Sequence, residues 1–406
     1  MFLNCGFRIE FAFGQTKNIL KFYPLNGDNM TELDKDVPLP SEEVAEEKAK
    51  AEAPKKKHRG RRAKTETLQP AKQLIEALKF LKPVQKKAGS VQQQFCMITG
   101  NWAAASDEVL TIATKVEEDL SVCPQTTQFL EALSKVGEDL SITQLSQSAL
   151  SVVSGAFKAV VPCVGFDNLS ISGPDEPCAV IDDRLKEAFA MLAPLATEGA
   201  PNAAYASVLL QSGSAVATNG HVLAEYWHGI DLPPGLMVPK AAVAAILKAG
   251  KPLARFGYSG PSATFWFDDD SFIKTQLYGE RFPHYSPLFE CEGLNPWPVP
   301  AEFFKAVRSI EAFTRNGVVY FENGKLASNE LENEASTYII EGLPEGMGFN
   351  AKYLLMVEKA FDNVHFDEAS NKAFFFGENV RGVIMGIERA SSAPVTSDEY
   401  IDDIPF

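Results

Sequence analysis

Pro70-Ala71-Lys72-Gln73-Leu74-Ile75-Glu76-Ala77-Leu78-Lys79-Phe80-Leu81 sets a proline ahead of an apolar stripe at helical spacing, formed by Leu74, Ile75, Leu78, Phe80 and Leu81. This is a helix lying on a core, and the same pattern recurs five times downstream. Pro124, Asp182, Pro239, Pro300 and Asn350 each open a helix-like stretch near runs of alternating apolar residues, and the six openers lie roughly 50 to 60 residues apart. Phe129, Leu130, Leu133 and Val136 supply the second stripe. A unit of one helix plus several strands, repeated six times, predicts a curved modular array in which neighbours share sheets and the helices share one face. The expected class is α+β, with three tandem similar domains, each of two helices packed on β-sheets.

Composition fits a large packed body. At 406 residues and 45% apolar content the chain supplies two or three domains. Its longest apolar runs fall far short of the roughly 18 residues that span a bilayer. Arg8 and Glu10 interrupt the amino-terminal run where a signal core would sit, so a cytoplasmic protein is expected. Cys5, Cys96, Cys123, Cys163, Cys178 and Cys291 show no CxxC pairing and no histidine at zinc spacing. They read as reduced, mostly buried thiols, and neither a metal nor another cofactor is expected.

A net charge of -15 argues against a nucleic-acid partner until its distribution is followed. The helix-like stretches hold Lys72, Lys79, Lys82, Lys86, Lys87, Lys135, Arg184, Lys186, Lys240, Lys248, Lys251, Lys305, Arg308, Lys352 and Lys359 against about half as many acids, so the acidic surplus lies elsewhere. Lysine decorates any solvated helix face. The sharper reading is a basic concave surface that holds a polyanion while acidic outer sheets repel it. On that reading all of these cations except Lys86 and Lys87 are DNA-binding candidates.

Residues 1–65 read as a disordered extension. Residues 31–52 are acidic and rich in Glu, Ala and Pro, and 55–64 form a basic block, neither with enough apolar content to pack. The block reads as a loose DNA tether or as an ordinary basic tail. Asn26-Gly27-Asp28-Asn29 can be encoded by a ribosome-binding-site-like sequence, which makes Met30 an alternative start. The repeats pair into domains at 66–172, 173–292 and 293–388, with breaks at Gly173-Pro174-Asp175 and Pro296-Trp297-Pro298, and 389–406 forms a flexible acidic tail. Strand-like runs lie at 109–116 and 149–161. Hairpins are expected at Gly213-Ser214, Asp269-Asp270 and Asn323-Gly324.

Four segments carry a family resemblance. Ala217-Thr218-Asn219-Gly220-His221-Val222-Leu223-Ala224, Val238-Pro239-Lys240, Arg281-Phe282-Pro283-His284-Tyr285 and Gly348-Phe349-Asn350-Ala351-Lys352-Tyr353-Leu354-Leu355 resemble, in order and spacing, the bacterial sliding clamp, the DNA polymerase III beta subunit. That family shows Ala-Thr-Asp-Gly-His-Arg-Leu, a Val-Pro helix start, Phe-Pro-Asp-Tyr and a Phe-Asn helix start. The resemblance covers about 325 residues and is softest in the first domain, where it rests on Val152-Val153-Ser154-Gly155 and the 160–163 strand end. It implies a ring of two head-to-tail subunits, a homodimer, enclosing duplex DNA with the helices on the inner wall. Phosphate contacts without base reading let such a ring slide.

The resemblance also implies a DNA polymerase and a clamp loader as partners, and a hydrophobic groove between the second and third domains for partner peptides. The matching positions are Thr218, Gly220, His221, Val222, Leu223, Pro283, Pro287, Leu288, Val383, Ile384, Met385, Gly386 and Ile387. Val222 and Pro287 stand where the family usually has Arg, which removes two guanidinium donors, and Gly386 stands where it usually has Pro. Leu223 and Val383 read equally well as core.

No enzyme is expected. His221 stands at neither triad nor metal spacing from His58, His228, His284 or His365. Asp268-Asp269-Asp270, between two aromatic runs, reads as a hairpin tip, and no GxxxxGK[ST] loop is present.

The chain ends Asp402-Asp403-Ile404-Pro405-Phe406, which resembles the acidic tip of bacterial single-stranded-DNA-binding proteins. A terminal Phe fills an apolar pocket while its α-carboxylate pairs with Arg or Lys. Enzymes that read that tip are the implied partners, although acidic tails are commonly just solvated ends. The combined expectation is a non-enzymatic sliding clamp, phage-encoded or otherwise divergent. One rival is a single-stranded-DNA-binding accessory protein, against which the body lacks basic, aromatic-rich stretches for stacking bases. The other is a decoy that mimics a clamp and sequesters its partners.

Overall fold

Six helices follow the six openers in the computed structural model, which describes residues 71–387 except 138, 291–292, 323 and 330–334, together with the backbone of the pair Phe7–Arg8 and Tyr23–Pro24. They are α1 Lys72–Phe80, α2 Thr126–Leu133, α3 Asp183–Leu192, α4 Lys240–Ala249, α5 Phe303–Glu311 and α6 Ala351–Met356. Asp182 Oδ1 accepts from the Arg184 amide and Asn350 Oδ1 from the Lys352 amide, each at 3.0 Å, so a side chain satisfies a first-turn donor that the helix cannot. Gly250, at φ 68°, closes α4 in the left-handed conformation that costs other residues more. Of the expected α1 stripe Leu74, Leu78 and Leu81 are buried and Ile75 and Phe80 partly so, while α3 buries Leu185, Ala188, Phe189 and Leu192.

The repeating unit is a strand, a helix and three strands. In the second domain Pro177–Val180, α3, Ser207–Leu210, Ser214–Thr218 and Val222–Trp227 are followed by Leu236–Pro239, α4, Leu253–Ser259, Ser262–Phe267 and Phe272–Gln276. The first strand of each unit crosses to the other: Pro177–Val180 pairs with Leu253–Ser259, and Leu236–Pro239 with Ser207–Leu210. The third domain repeats this exchange through Trp297–Pro298 and Gly348–Asn350. In the first domain only isolated bridges, Ile98 with Val122 and Phe95 with Gln125, mark the place of such a strand before α2. Trp297–Pro298 is thus a short edge strand, a position that tolerates a proline. The run at 149–161 divides into Ala149–Ser154 and Phe157–Pro162 because Gly155, at φ 55°, turns the chain.

Two sheets cross domain boundaries. The last strand of one unit pairs antiparallel with the last strand of another, Leu110–Lys115 with Phe272–Gln276 and Val222–Trp227 with Val380–Met385. Seven- and eight-stranded sheets result. One apolar core from Leu74 to Ile384 lies between helices and sheets. Each junction also carries a smaller cluster on the sheet face away from that core, one around Trp266 and Phe272 and one around Leu223 and Val383. The connecting segments cover these outer faces, Ile171 at the first and Phe282, Tyr285, Leu288 and Phe289 at the second.

Among the described residues no helix is long and apolar enough to cross a membrane. Cys96, Cys123 and Cys163 are free and buried, and burial pushes the Cys96 thiol up to about 12. Cys178 is free and exposed, and Cys5 and Cys291 lie outside the described residues. Asp269 and Asp270 sit at their hairpin tip as ion-pair partners of Lys251, Arg255 and Lys115.

The segment that opens the second domain is fastened to that domain's own sheet by Asp175, 7% exposed. Its Oδ1 accepts from Ser259 at 2.6 Å, Ser262 at 2.8 Å and Lys274 at 3.1 Å, and Oδ2 accepts from Thr264 at 2.8 Å. Burial pushes this carboxyl up, and the four donors together outweigh burial and hold it below the usual carboxylate range. A carboxylate depressed in the folded state stabilises the fold above its unfolded value of about 3.9, and that stabilisation disappears as pH falls through the folded value. Asp175→Asn is expected to cost about 1 to 3 kcal/mol at neutral pH. In denaturant titrations the gap to the parent chain should narrow steadily below about pH 4; a gap independent of pH would refute the assignment.

Candidate nucleic-acid and peptide interfaces

The helices pack in pairs, α1 with α2, α3 with α4 and α5 with α6, so each domain offers a two-helix face. The candidate cations on these faces differ in what holds them. Lys240 Nζ donates to the Ala196 carbonyl at 2.6 Å. Lys251 donates to Asp269 Oδ2 at 2.7 Å, with its ammonium 4.0 Å from the Phe80 ring centre. Lys186, also partly buried, pairs with Asp183 at 2.9 Å. These three are fixed into the fold and neutralised or capped locally.

Arg184 with Asp182, Lys305 with Glu302 and Arg308 with Glu358 form exposed ion pairs, a type of contact worth about 0 to 1 kcal/mol that a polyanion competes for. Lys72, Lys79, Lys82, Lys135, Lys248, Lys352 and Lys359 are exposed and form no ion pair among the described residues. Four of the seven belong to the first domain, which makes its helical face the most strongly basic.

The groove candidates divide between the two faces of the eight-stranded sheet. Leu223 lies opposite Val383 and Val222 opposite Ile384 across the domain junction. Side chains alternate along a strand, so the first pair joins Leu288 in the outer cluster while the second points into the core beneath the helices. Val222 and Ile384 are 0% exposed, which removes both from any surface site.

Thr218 is buried, where its hydroxyl donates to the Val222 carbonyl at 2.8 Å and accepts from the Gly220 amide at 3.0 Å. Gly220 adopts φ 90° in this tight loop, and a Cβ there would meet the Tyr205 ring at 3.2 Å. His221, exposed, stacks on Tyr353 of α6 with ring centres 5.3 Å apart, and its carbonyl accepts from the Met385 amide. The Gly386 amide donates to the Asn371 carbonyl at 2.8 Å, a bond that proline could not make. Pro283, Pro287 and Met385 are exposed around this surface, and Leu288, Gly386 and Ile387 are partly so. Asp402, Asp403, Ile404, Pro405 and Phe406 lie outside the described residues.

Sequence reading missed the polar fastening beneath this surface. Glu225, 6% exposed, accepts from Arg381 Nη2 at 2.7 Å and Nε at 3.0 Å, from the Ser214 hydroxyl at 2.9 Å and from the Tyr285 hydroxyl at 3.3 Å. The Arg381 guanidinium also lies 4.2 Å from the Phe289 ring centre. Burial, followed by the Glu225 charge, pushes the Tyr285 phenol up to about 12. A charged residue in the middle of the Val222–Trp227 strand was the available signal. Glu225 and Arg381 face each other in register from different domains. Arg381→Met leaves a buried carboxylate without its cation and is expected to cost about 2 to 4 kcal/mol. Thermal unfolding would check this, and a change below about 0.5 kcal/mol would contradict it.

No family model matches the chain, and no curated protein matches its sequence. Solved structures do match. The Bacillus subtilis DNA polymerase sliding clamp superposes with a TM-score of 0.68 at 15% identity, covering 78% of this chain and 97% of that one. The Caulobacter crescentus DNA polymerase sliding clamp gives 0.67 at 18%, covering 78% and 98%. The Helicobacter pylori beta clamp bound to a DNA ligase peptide gives 0.65 at 17%, also covering 78% and 98%. The chain has the fold of the bacterial sliding clamps.

Proposed function

We propose that this chain is a DNA sliding clamp, a non-enzymatic processivity factor of which two copies close around duplex DNA and tether a polymerase or other replication and repair proteins. One observation carries the reading, the rule by which last strands pair. Within the chain each domain junction joins two last strands. By that rule Phe157–Pro162 in the first domain and Thr337–Ile339 in the third are left at sheet edges, each paired with one strand only among the described residues. They expose Val160 and Ile339 at 55% and 80%.

A second copy that sets its Thr337–Ile339 against this Phe157–Pro162, and the reverse, continues the rule, covers both edges and closes two chains. The domain division at residues 66–172, 173–292 and 293–388 is part of the same reading. The exposed lysines of the six helices then face the hole, where a field without base contacts permits sliding. The clamp fold of the Bacillus and Helicobacter structures supports the ring. The DNA ligase peptide bound by the Helicobacter clamp supports peptide docking, and the apolar outer surface of the second junction is the place we assign to it here. The Asp402–Phe406 tip adds a recruiting element for enzymes that read such tips, in the cytoplasm where the DNA lies. The low identity fits a divergent, phage-type clamp.

Two measurements test the reading. Labelled protein loaded on nicked circular DNA by a bacterial clamp loader with ATP is expected to survive washing and to come off when the circle is cut. Failure to be retained on circles would refute the ring. Replacing Lys79, Lys82 and Lys352 with Ala together is expected to lower the salt slope of DNA binding by roughly 2 to 3, at about 0.9 per phosphate contact. An unchanged slope would exclude these lysines as contacts.

A further inference from the structure

We infer that the carboxy-terminal segment of this chain docks its own apolar tip on the outer surface of the junction between the second and third domains. The inference rests on the peptide-docking reading above and names an occupant that the fold likeness does not supply. The surface has the required chemistry. Partly exposed Leu288 packs over the buried pair Leu223 and Val383, Met385, 37% exposed, follows Val383 by two residues on the same strand face, and Pro283 and Pro287 of the covering segment are exposed. Apolar surface of this kind gains from being covered.

The point of exit selects the occupant. The amides of Met385, Gly386 and Ile387 each donate at 2.8 Å, to the carbonyls of His221, Asn371 and Gly348, so the last described residues form part of the rim itself. Residues 388–406 leave from the site they are to fill. A chain of the length from Ile387 to Ile404 reaches about 20 to 25 Å on random-coil statistics, enough to return the tip to the rim at a millimolar effective concentration.

Charge also matches. The segment presents Asp398, Glu399, Asp402 and Asp403, then Ile404-Pro405-Phe406. Arg281, exposed beside Phe282 and Pro283, and Lys372, in register with Met385, supply cations at the rim. The acids steer and the apolar residues anchor. A docked tip has to be displaced by any partner peptide, so the segment acts as a built-in competitor that raises the affinity a partner needs.

The test uses the full chain and a fluorescein-labelled synthetic peptide of residues 398–406, followed by anisotropy. The full-length Ile404→Asp, Phe406→Asp double variant is expected to bind this peptide about tenfold tighter than the unmodified chain, because its own tip no longer competes. Adding Met385→Asp, or Pro287→Asp should the first disturb folding, is expected to abolish that binding. Equal affinity in the two full chains, or binding that survives both rim variants, would overturn the inference. A DNA ligase peptide of the kind bound by the Helicobacter clamp serves as second probe. If it binds where the tail peptide does not, the inference fails and the docking reading stands. If neither probe binds any variant, the docking reading fails as well.

Discussion

Antiparallel pairing between strands of different domains is the constraint on which the rest of this structure depends. Once Val222–Trp227 lies against Val380–Met385 in the observed register, alternation sends every side chain of both strands to a definite face. Leu223, Glu225, Arg381 and Val383 go outward, and Val222, Ala224 and Ile384 go to the core. Gly382, opposite Ala224, completes the arrangement, since a Cβ there would run into the Phe375 ring and the Leu223 carbonyl. A shift of one residue would bury the ion pair among apolar side chains and expose the core set, so the register and the orientation of the third domain are fixed together.

A buried carboxylate recurs near both junctions, and at the second it bridges two domains. The carboxylate, Asp175 near the first and Glu225 at the second, sits on the outer sheet face, collects hydroxyl donors and pairs with one cation from the sheet. Such a group contributes little if compared with an apolar replacement, and much if one partner is removed. At the second junction its value lies in geometry: Arg381 comes from the third domain and Ser214 and Tyr285 from the second, so the donors meet only when the two domains are correctly aligned. The apolar clusters supply adhesion at the junctions, and Glu225 supplies the angle at the second.

The helices were legible in the sequence because their signals are local. Asp182 and Asn350 cap through their own side chains, and the stripe in α1 needs only a 3.6-residue period. The turn at Gly155, which splits one apolar run into two strands, was less legible because both halves share the same composition. The facing of Val222 against Leu223 was not legible at all. That parity is set by a strand more than 150 positions away, and no local pattern carries it. The same reason explains Lys240 and Lys251, whose partners Ala196 and Asp269 come from other elements. Charge type was readable from sequence, but which charges remain available to a ligand was not.

Unequal strand lengths give the proposed ring a direction of failure. The internal junctions register five and four residue pairs. Thr337–Ile339 offers three residues to whatever strand meets it, against the six of Phe157–Pro162. The second internal joint is also locked by a buried carboxylate, and stretching the assembly would load all joints alike. Rupture would then start at the three-residue seam, unzipping one short ladder while the chain's own domains stay rigid. A machine that must part the circle to admit a duplex would need to work against that seam alone.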